Sequence, residues 1–337
     1  MTGGERFPRP FLWANAKGIR IAVRLLPQGS CGFDLGVLSY VFMGRPSAAA
    51  NRYSKGAIGL KRSTQRRLFC DLSPTAYRIS VWKCRLLRHL KNALLLGRLA
   101  RHRRGSLPEL VYRHKALIRR RLGDVSPELQ ENKAVNLALA APKISGIVIR
   151  PGQVFSFWAL VGSCTRREGY REGLVFKNGK TGQAVGGGMC QFTNLIHWMI
   201  LHTPMEICEH HHHDGADFFP DYGRQVPFGT GTSIAYNYLD YRFRNTTDRT
   251  YQLVTWVDGE YLCGELRSDR PQPEKYHIHA ENEFFSVENN VYYRNGEIRR
   301  EQIDRRTGNT VGCKVLRRNH ARVLYDAALI PAEKIRM

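Results

Sequence analysis

The sequence predicts an α+β protein in which basic N-terminal helices precede a strand-rich domain that contains one central, glycine-anchored helix. Two observations carry this prediction. Apolar residues recur at three- and four-residue steps in the first half of the chain, and again after a triple glycine at 186–188, which is typical of amphipathic helices. From residue 233 onward strand patterns dominate, and Asp258-Gly259 separates two of them, as in a tight β-hairpin.

The positive charge of the chain is concentrated in its first third. Residues 1–125 hold 26 Lys and Arg against 5 Asp and Glu, which accounts for +21 of the net charge of +23 of the 337-residue chain. Such a segment is attracted to an anionic membrane surface, or is a solvated arm, and we predict no specific nucleic-acid binding. We divide the chain into a basic extension (1–66), a basic helical region (67–141), a strand-rich domain (142–315) and a basic C-terminal tail (316–337).

The spacing of the cysteines and the length of the apolar runs limit the class of protein to which the chain can belong. The eight cysteines form no C-x-x-C pair, which excludes a zinc ribbon and a small disulfide-rich domain. The N-terminus lacks the apolar segment of an export signal, and no apolar run reaches the length of about 18 residues that a transmembrane helix requires. We expect reduced thiols, no cofactor, and a protein that is cytoplasmic or peripheral to the membrane.

Three helices are predicted before the glycines. Ser73-Pro74 is a suitable start for a basic amphipathic helix that reaches about Leu99. A helix at a membrane surface would have this pattern, but we favour a helix that covers the core while its lysines and arginines reach water. Residues 110–122 repeat the pattern and predict a second helix, and 126–141 predict a third.

Strands are predicted on both sides of the central helix. Residues 147–149 and 154–158 flank the turn 150–153 and predict a hairpin. Further strands are predicted at 205–213, 233–243, 251–257, 261–266, 276–285, 291–293 and 298–303. The last twenty residues are basic and carry no pattern.

Cys190 is the candidate nucleophile. The helical pattern after the glycines, at 192, 195, 196, 199 and 200, places Cys190 in the first turn of a helix. There, unpaired N–H groups and the helix dipole favour a thiolate over a thiol. The alternative is a buried structural thiol. Glycines before a helix can also cradle an anion through their N–H groups, although the spacing is not that of a nucleotide site.

Four consecutive histidines, 210–213, lie on the strand predicted after the helix. Because alternate residues of a strand share a face, His211 and His213 form one set and the other two histidines form a second. They can include a base for Cys190, or they can be solvated loop residues. A metal site of Cys190, His211 and His213 is the third possibility, although the spacing matches no zinc signature.

Two other groups of polar residues lie in or near the predicted site. Arg224 lies in a glycine-punctuated loop, 223–232, where it can hold a carboxylate through its guanidinium or form a surface salt bridge with Asp221. His197 and His202 lie in or near the central helix, and we predict that they are packing or surface residues.

Several long stretches resemble the VanW family. They are PGQVFSFW (151–158), GGGMCQFTNLIHW (186–198), LHTP (201–204), EHHHHD (209–214), FPDYGRQVPFGTGTSIAYNYLDYRFRN (219–245) and GELRSD (264–269). The resemblance covers roughly residues 70 to 310. It implies an association with the bacterial cell envelope or with the response to vancomycin-type glycopeptides.

The resemblance also implies a chemistry, because certain VanW-domain proteins are regarded as L,D-transpeptidases that use the motif cysteine. Cys190 would attack the carbonyl of a peptidoglycan stem peptide, with His211 or His213 as the general base. N–H groups of Gly187, Gly188 or their neighbours would stabilise the oxyanion. The candidate substrate- or oxyanion-binding residues are Gly186, Gly187, Gly188, Gln191 and Arg224.

The chain departs from the family's transpeptidases in two respects. Those members are exported, whereas no export signal is visible here, and the histidine tract replaces the usual E-R-x-x-H form. A second hypothesis is therefore a non-catalytic module that binds an envelope precursor or a resistance-complex partner.

Overall fold

The computed structural model describes residues 68–120, 126–177, 180–212, 215–221 and 224–336. The extension 1–66 lies outside the described residues. From Ser73 onward the chain forms one compact unit, to which the basic helical region and the C-terminal tail both contribute. The described residues combine helices with many strands, so the α+β prediction is confirmed.

The described residues form four α-helices. They are α1 (Pro74–Leu94), α2 (Pro127–Ile144), α3 (Phe157–Val161) and α4 (Met189–Ile200). The predicted start of α1 is confirmed, since the Ser73 hydroxyl oxygen accepts a hydrogen bond from the N–H of Ala76 at 3.0 Å. The predictions of α2 and of a helix that begins beside Cys190 are confirmed as well.

The strands fall into four sheets among the described residues. They are β1 (Glu109–Leu117), β2 (Ile147–Ile149), β3 (Val154–Ser156), β4 (Glu172–Lys177), β5 (Lys180–Val185), β6 (Glu206–Glu209), β7 (Ala216–Asp217), β8 (Arg242–Arg244), β9 (Tyr251–Asp258), β10 (Tyr261–Ser268), β11 (Glu274–Glu288), β12 (Val291–Asp304), β13 (Thr310–Val323) and β14 (Ile335–Arg336). The sheet orders are β1-β10-β9-β2, β14-β11-β12-β13-β7, β3-β8-β6 and β4-β5.

The hairpin predicted at Asp258-Gly259 is confirmed as β9 and β10, whereas the hairpin predicted across 150–153 is wrong. Both of its short strands exist, but β2 pairs with β9 and β3 pairs with β8. β2 is buried throughout. β2 thereby becomes the edge strand of the sheet that holds β9, and β3 joins the three-stranded sheet of β3, β8 and β6.

Three other predictions are corrected. The helix expected at 110–122 is wrong, because these residues supply β1, which pairs with β10 along its length. The strand expected at 233–243 is interrupted by a turn in which Asn237 has φ +50°, outside the strand region. The tail expected to lack pattern begins inside β13, and its end adds β14 in parallel to β11.

The core lies where α4 and α2 pack on the four-stranded sheet. All five apolar positions that predicted α4 are buried. β10 carries Gly264 under this helix, where an added Cβ would lie 2.7 Å from the Cε atom of Met199. The missing side chain lets α4 lie directly on the sheet, so the helix that carries Cys190 has a rigid support.

α1 is amphipathic, but its orientation is the reverse of the predicted one. Ala76 is its only buried residue. Polar side chains face the rest of the unit: Arg85 donates to the Tyr236 carbonyl at 3.2 Å, and Asn92 accepts from Arg242. The exposed side is an apolar stripe of Ile79, Trp82, Leu86, Leu90 and Leu94. The prediction that this helix covers the core is therefore wrong.

None of the helices in the described part of the chain combines the length and the apolar character needed to cross a membrane.

Candidate functional site

The triple glycine before α4 makes close contacts with three other parts of the chain. A Cβ on Gly187 would overlap the backbone of Gly173 in β4, and a Cβ on Gly186 would overlap Cys164. A Cβ on Gly188 would overlap the side-chain stem of Lys133 in α2. Gly186 and Gly188 also have positive φ angles, +77° and +103°. Glycine is thus required by space at all three positions and by conformation at two.

The N–H groups of two of these glycines are already engaged. Gly186 donates to the Arg171 carbonyl at 2.9 Å, and Gly187 donates to the Ala184 carbonyl at 3.1 Å. Gln191 donates its N–H to the Gly188 carbonyl at 2.9 Å, so an oxyanion bound at this turn would depend on the N–H groups of Gly188, Met189 and Cys190.

Cys190 is the second residue of α4 and is partly exposed. The backbone N–H of Ile234 faces its thiol. Burial raises the pKa of the Cys190 thiol, and the N–H groups of Ile234 and of Cys190 itself lower the pKa by less. The expectation that the helix start favours a thiolate is therefore wrong, because desolvation disfavours the charged form by more than the N–H groups favour it.

Polar residues on one face of α4 join the helix to the segment 231–234. Cys190, Thr193, Asn194 and His197 are spaced as one helical stripe. The Thr193 hydroxyl donates to the Cys190 carbonyl at 3.1 Å, and Asn194 Oδ1 accepts from the Thr232 N–H at 2.7 Å. The Thr232 hydroxyl also donates to the Cys190 carbonyl at 3.4 Å, which holds segment 231–234 against the turn that carries Cys190.

The histidine tract contacts the same segment. The Ser233 N–H donates to the His211 carbonyl at 2.7 Å, and His210 Nε2 lies 3.2 Å from the Gly231 carbonyl oxygen. β6 ends at Glu209, so the tract continues as loop rather than as the predicted strand. His213 and Asp214 lie outside the described residues, and the choice between His211 and His213 as the base stays a prediction.

Glu209 positions His211 and the surrounding chain. Its carboxylate accepts two hydrogen bonds from Arg88 of α1, both at 2.6 Å, and one from the Asp240 N–H at 2.9 Å. His211 Nε2 lies 3.0 Å from Glu209 Oε1. Burial raises the pKa of Glu209, but the hydrogen bonds from His211 and Arg88 outweigh it and lower the pKa to about 2.

The sequence did not predict that the buried His197 ring lies in a group with the partly buried rings of His210 and His212. The His210 ring lies 4.2 Å from that of His197 and 3.9 Å from that of His212, measured between centroids. His197 Nδ1 also lies 3.0 Å from the Tyr241 hydroxyl oxygen. Burial lowers the pKa of His197 and lowers that of His212 to about 3, so both rings are neutral at neutral pH. The polar stripe of α4 is the sequence signal that could have revealed His197.

His202, predicted to be either a packing or a surface residue, is a packing residue. Its ring stacks on Tyr112 with 3.5 Å between centroids.

Two cations, Lys133 and Arg120, lie beside the start of α4. Lys133 is only 6% exposed, and its stem crosses Gly188. Burial, with Arg120 and Arg119 nearby, lowers the pKa of Lys133 to about 8. Arg119 is paired with Glu131. Within the described ranges, neither Lys133 nor Arg120 forms an ion pair with a carboxylate.

The remaining predicted site residues have partners in the protein. Gln191 Nε2 donates to the Leu117 carbonyl at 2.8 Å, which ties α4 to the end of β1. Arg224 Nε lies 2.7 Å from Asp221 Oδ1, so the salt bridge considered for Arg224 is present. Substrate binding by these two side chains stays a prediction.

Of the three side chains predicted as metal ligands at this site, only Cys190 and His211 lie within the described residues. Cys190 and His211 belong to no group of three metal-binding side chains whose ligand atoms lie within 4.8 Å of one another there. The third member of the predicted set, His213, is not described.

Comparisons with known proteins define the class. The family model for VanW like protein matches residues 132–267, which run from α2 through most of β10. The chain belongs to the VanW family.

Two relatives illustrate the extent of the similarity. The chain is 35% identical over 196 residues to the vancomycin B-type resistance protein VanW of Enterococcus faecalis (strain ATCC 700802 / V583), a match that covers 58% of this chain and 71% of that protein. It is 27% identical over 118 residues to the uncharacterized protein YoaR of Bacillus subtilis (strain 168), covering 34% of this chain and 36% of YoaR. No solved structure gives a significant match.

We expect Gly187→Ala to destabilise the protein. The new methyl group would overlap the Gly173 backbone, which cannot rotate away as a side chain can. The free energy of unfolding should fall by about 1–3 kcal/mol, measured by urea denaturation. Gly105→Ala is the control, because a Cβ there has no neighbour within 4 Å. Equal stability of the two variants would contradict the close contact.

We expect Glu209→Gln to reduce stability in a pH-dependent way. The folded-state pKa of Glu209 is about 2, below the ordinary value of 4.5, so its charged form stabilises the fold above pH 4.5 and loses this effect as the pH falls towards 2. The variant should be less stable than the parent by about 3 kcal/mol at pH 7.

Urea unfolding at a series of pH values would measure this difference. It should shrink between pH 4.5 and 2, the range set by the Glu209 pKa. Glu333→Gln, at an exposed position, should follow the parent at every pH. A difference between Glu209→Gln and the parent that does not change with pH would show that the Glu209 charge does not stabilise the fold.

Proposed function

We propose that the chain is a cysteine-dependent acyl transferase of the L,D-transpeptidase type that acts on peptidoglycan peptides. The observation that carries the proposal is that segment 231–234 is hydrogen-bonded both to the Cys190 carbonyl, through the Thr232 hydroxyl, and to the backbone of His211. A thiol, a histidine held by a carboxylate and an N–H group directed at the sulfur are thereby attached to one short segment.

The carboxylate prepares His211 for proton transfer. The hydrogen bond to Glu209 places the ring proton on Nε2 and leaves the lone pair of Nδ1 available. This is the role that a carboxylate plays towards the histidine of a catalytic triad. In the proposal His211 is one candidate base and His213, two residues along the chain, is the other.

The reaction has two steps. In the first, histidine takes the thiol proton as the Cys190 sulfur bonds to the acyl carbon, and the departing amine takes that proton as its C–N bond breaks. In the second, an acceptor amine attacks the thioester, and the sulfur leaves and regains a proton. N–H groups at the start of α4 and at Ile234 stabilise the oxyanion in both steps.

The raised pKa of Cys190 determines the order of events. The resting enzyme holds a thiol rather than a thiolate at neutral pH. Proton removal therefore accompanies attack on the bound substrate, and no ion pair forms beforehand.

The cations beside α4 favour a carboxylated substrate. Lys133 is nine-tenths buried and lacks a carboxylate partner in the described part of the chain, and Arg120 lies close enough to lower its pKa. Stem peptides carry free carboxylates, which would pair with these cations and offset the cost of burying a charged lysine.

A non-catalytic binding module is the second candidate, and the resting state of Cys190 favours it. Burial holds the Cys190 thiol in its neutral form, as in an inert structural cysteine. In this function the glycine turn and the cations bind an envelope precursor, and no bond is made or broken.

We also propose that the protein lies on an anionic membrane surface through α1. The helix is held to the rest of the unit by its polar face, while its apolar stripe is exposed. Trp82 is 65% exposed and Leu94 is 86% exposed, an unfavourable arrangement in water. Basic residues beside the stripe suit anionic headgroups.

The transferase proposal predicts a thioester on Cys190. The full chain is incubated with peptidoglycan stem peptides, and intact mass spectrometry should detect a covalent adduct whose mass equals that of the acyl fragment. Cys190→Ser should abolish the adduct, and Cys208→Ser, at an exposed cysteine, should retain it. Stem-peptide binding without an adduct would contradict the transferase and leave the binding module.

The membrane proposal predicts that the full chain binds vesicles of phosphatidylglycerol more tightly than vesicles of phosphatidylcholine, measured by co-sedimentation. The double variant Leu86→Asp, Leu90→Asp should weaken binding to the anionic vesicles by about tenfold or more, because two apolar groups no longer enter the lipid. Val311→Asp, at a strand position of similar exposure, is the control. Equal binding by the parent and the double variant would contradict the proposal.

A further inference from the structure

A cluster of metal-binding side chains, distant in sequence from Cys190, lies in the sheet that contains β11 and β12. His277 and His279 are two residues apart on β11, and Glu301 on β12 pairs directly with His277. Tyr276 and Ile278, the alternate positions of β11, are buried in an apolar cluster. The two histidines and Glu301 therefore share the opposite face of this sheet.

The three side chains are close enough to bind one ion. Their ligand atoms, one from each residue, all lie within 4.8 Å of one another. His277 Nδ1 lies 3.6 Å from Glu301 Oε2. Ligand atoms around a tetrahedral zinc ion are separated by about 3.4 Å, since each bond is about 2.1 Å long. The distance between His277 and Glu301 is already close to this separation.

His279 has the hydrogen bonding of a histidine prepared to bind a metal. Its Nε2 lies 3.0 Å from Glu281 Oε1, and Glu281 Oε2 lies 2.8 Å from Arg299 Nε. This contact places the ring proton on Nε2 and leaves the lone pair on Nδ1. That Nδ1 atom is buried and has no hydrogen-bond partner in the described part of the chain. A carboxylate that holds one ring nitrogen while the other binds the ion is the common arrangement in metal sites.

We propose that His277, His279 and Glu301 bind a divalent transition-metal ion, with zinc as the expected occupant. Two imidazoles and one carboxylate suit zinc and leave its fourth position open to water or a ligand. Bound metal would also satisfy the unpartnered nitrogen of His279, whose burial otherwise costs free energy. This site is separate from Cys190 and does not depend on the proposed function.

The experiment must report on these histidines separately from the tract at 210–213. The full chain is treated with a chelator and then labelled with diethyl pyrocarbonate, with and without added zinc, and each histidine is followed by peptide mass spectrometry. Zinc should slow the labelling of His277 and His279 by about tenfold or more, as expected for bound imidazoles. His320, which lies 3.6 Å from Glu288 in a similar surface pair without a second histidine, is the matched control.

Two variants test the ligand set and its support. Glu301→Gln should abolish the protection of both histidines. Glu281→Gln keeps all three ligands but removes the carboxylate behind His279, so protection should require about ten times more zinc. Unchanged labelling of His277 and His279 in the parent at saturating zinc would overturn the proposal. Equal protection of His320, or full protection in Glu301→Gln, would also overturn it.

Discussion

The arrangement of the site depends on the hydrogen bonds that the Glu209 carboxylate accepts. It joins α1, the histidine tract and the chain at Asp240, three segments distant in sequence, through Arg88, His211 and a backbone N–H. A neutral side chain could not satisfy all these donors at once. Because the carboxylate is largely buried, each lost donor would leave unpaired charge in a poorly solvated position. The same residue thus attaches an outer helix and orients a candidate base.

Much of the fold could be predicted where one local pattern dominates. α4 was predictable because its apolar residues repeat at helical spacing after three glycines, and the β9–β10 hairpin because Asp258-Gly259 suits a tight turn. β1 was not, since its many basic residues are compatible with a helix or a strand, and pairing with β10 decided the outcome. Nor could local sequence reveal that β2 and β3 pair with strands about a hundred residues away.

Some residues of the candidate site could be located from the sequence, but their protonation states and contacts could not. The position of Cys190 followed from the glycines and the helical period, but its protonation state depends on burial, which one sequence does not give. His197 was predicted to be a packing or surface residue, although its spacing from Cys190 places both on one face of α4. Lys133 carried no sequence signal at all. Its importance comes from a contact between α2 and Gly188, far apart in the chain.

The contact between Gly173 and Gly187 limits which sequence changes the site can tolerate. Most packing contacts involve side chains, which can be exchanged for others of similar volume when a neighbour changes. Here one main chain lies directly on another, so no substitution at either position can be compensated by a smaller partner. Sequence variation at the site must therefore arise in the residues around the turn, because altering the turn itself would displace the backbone that sets the depth of Cys190.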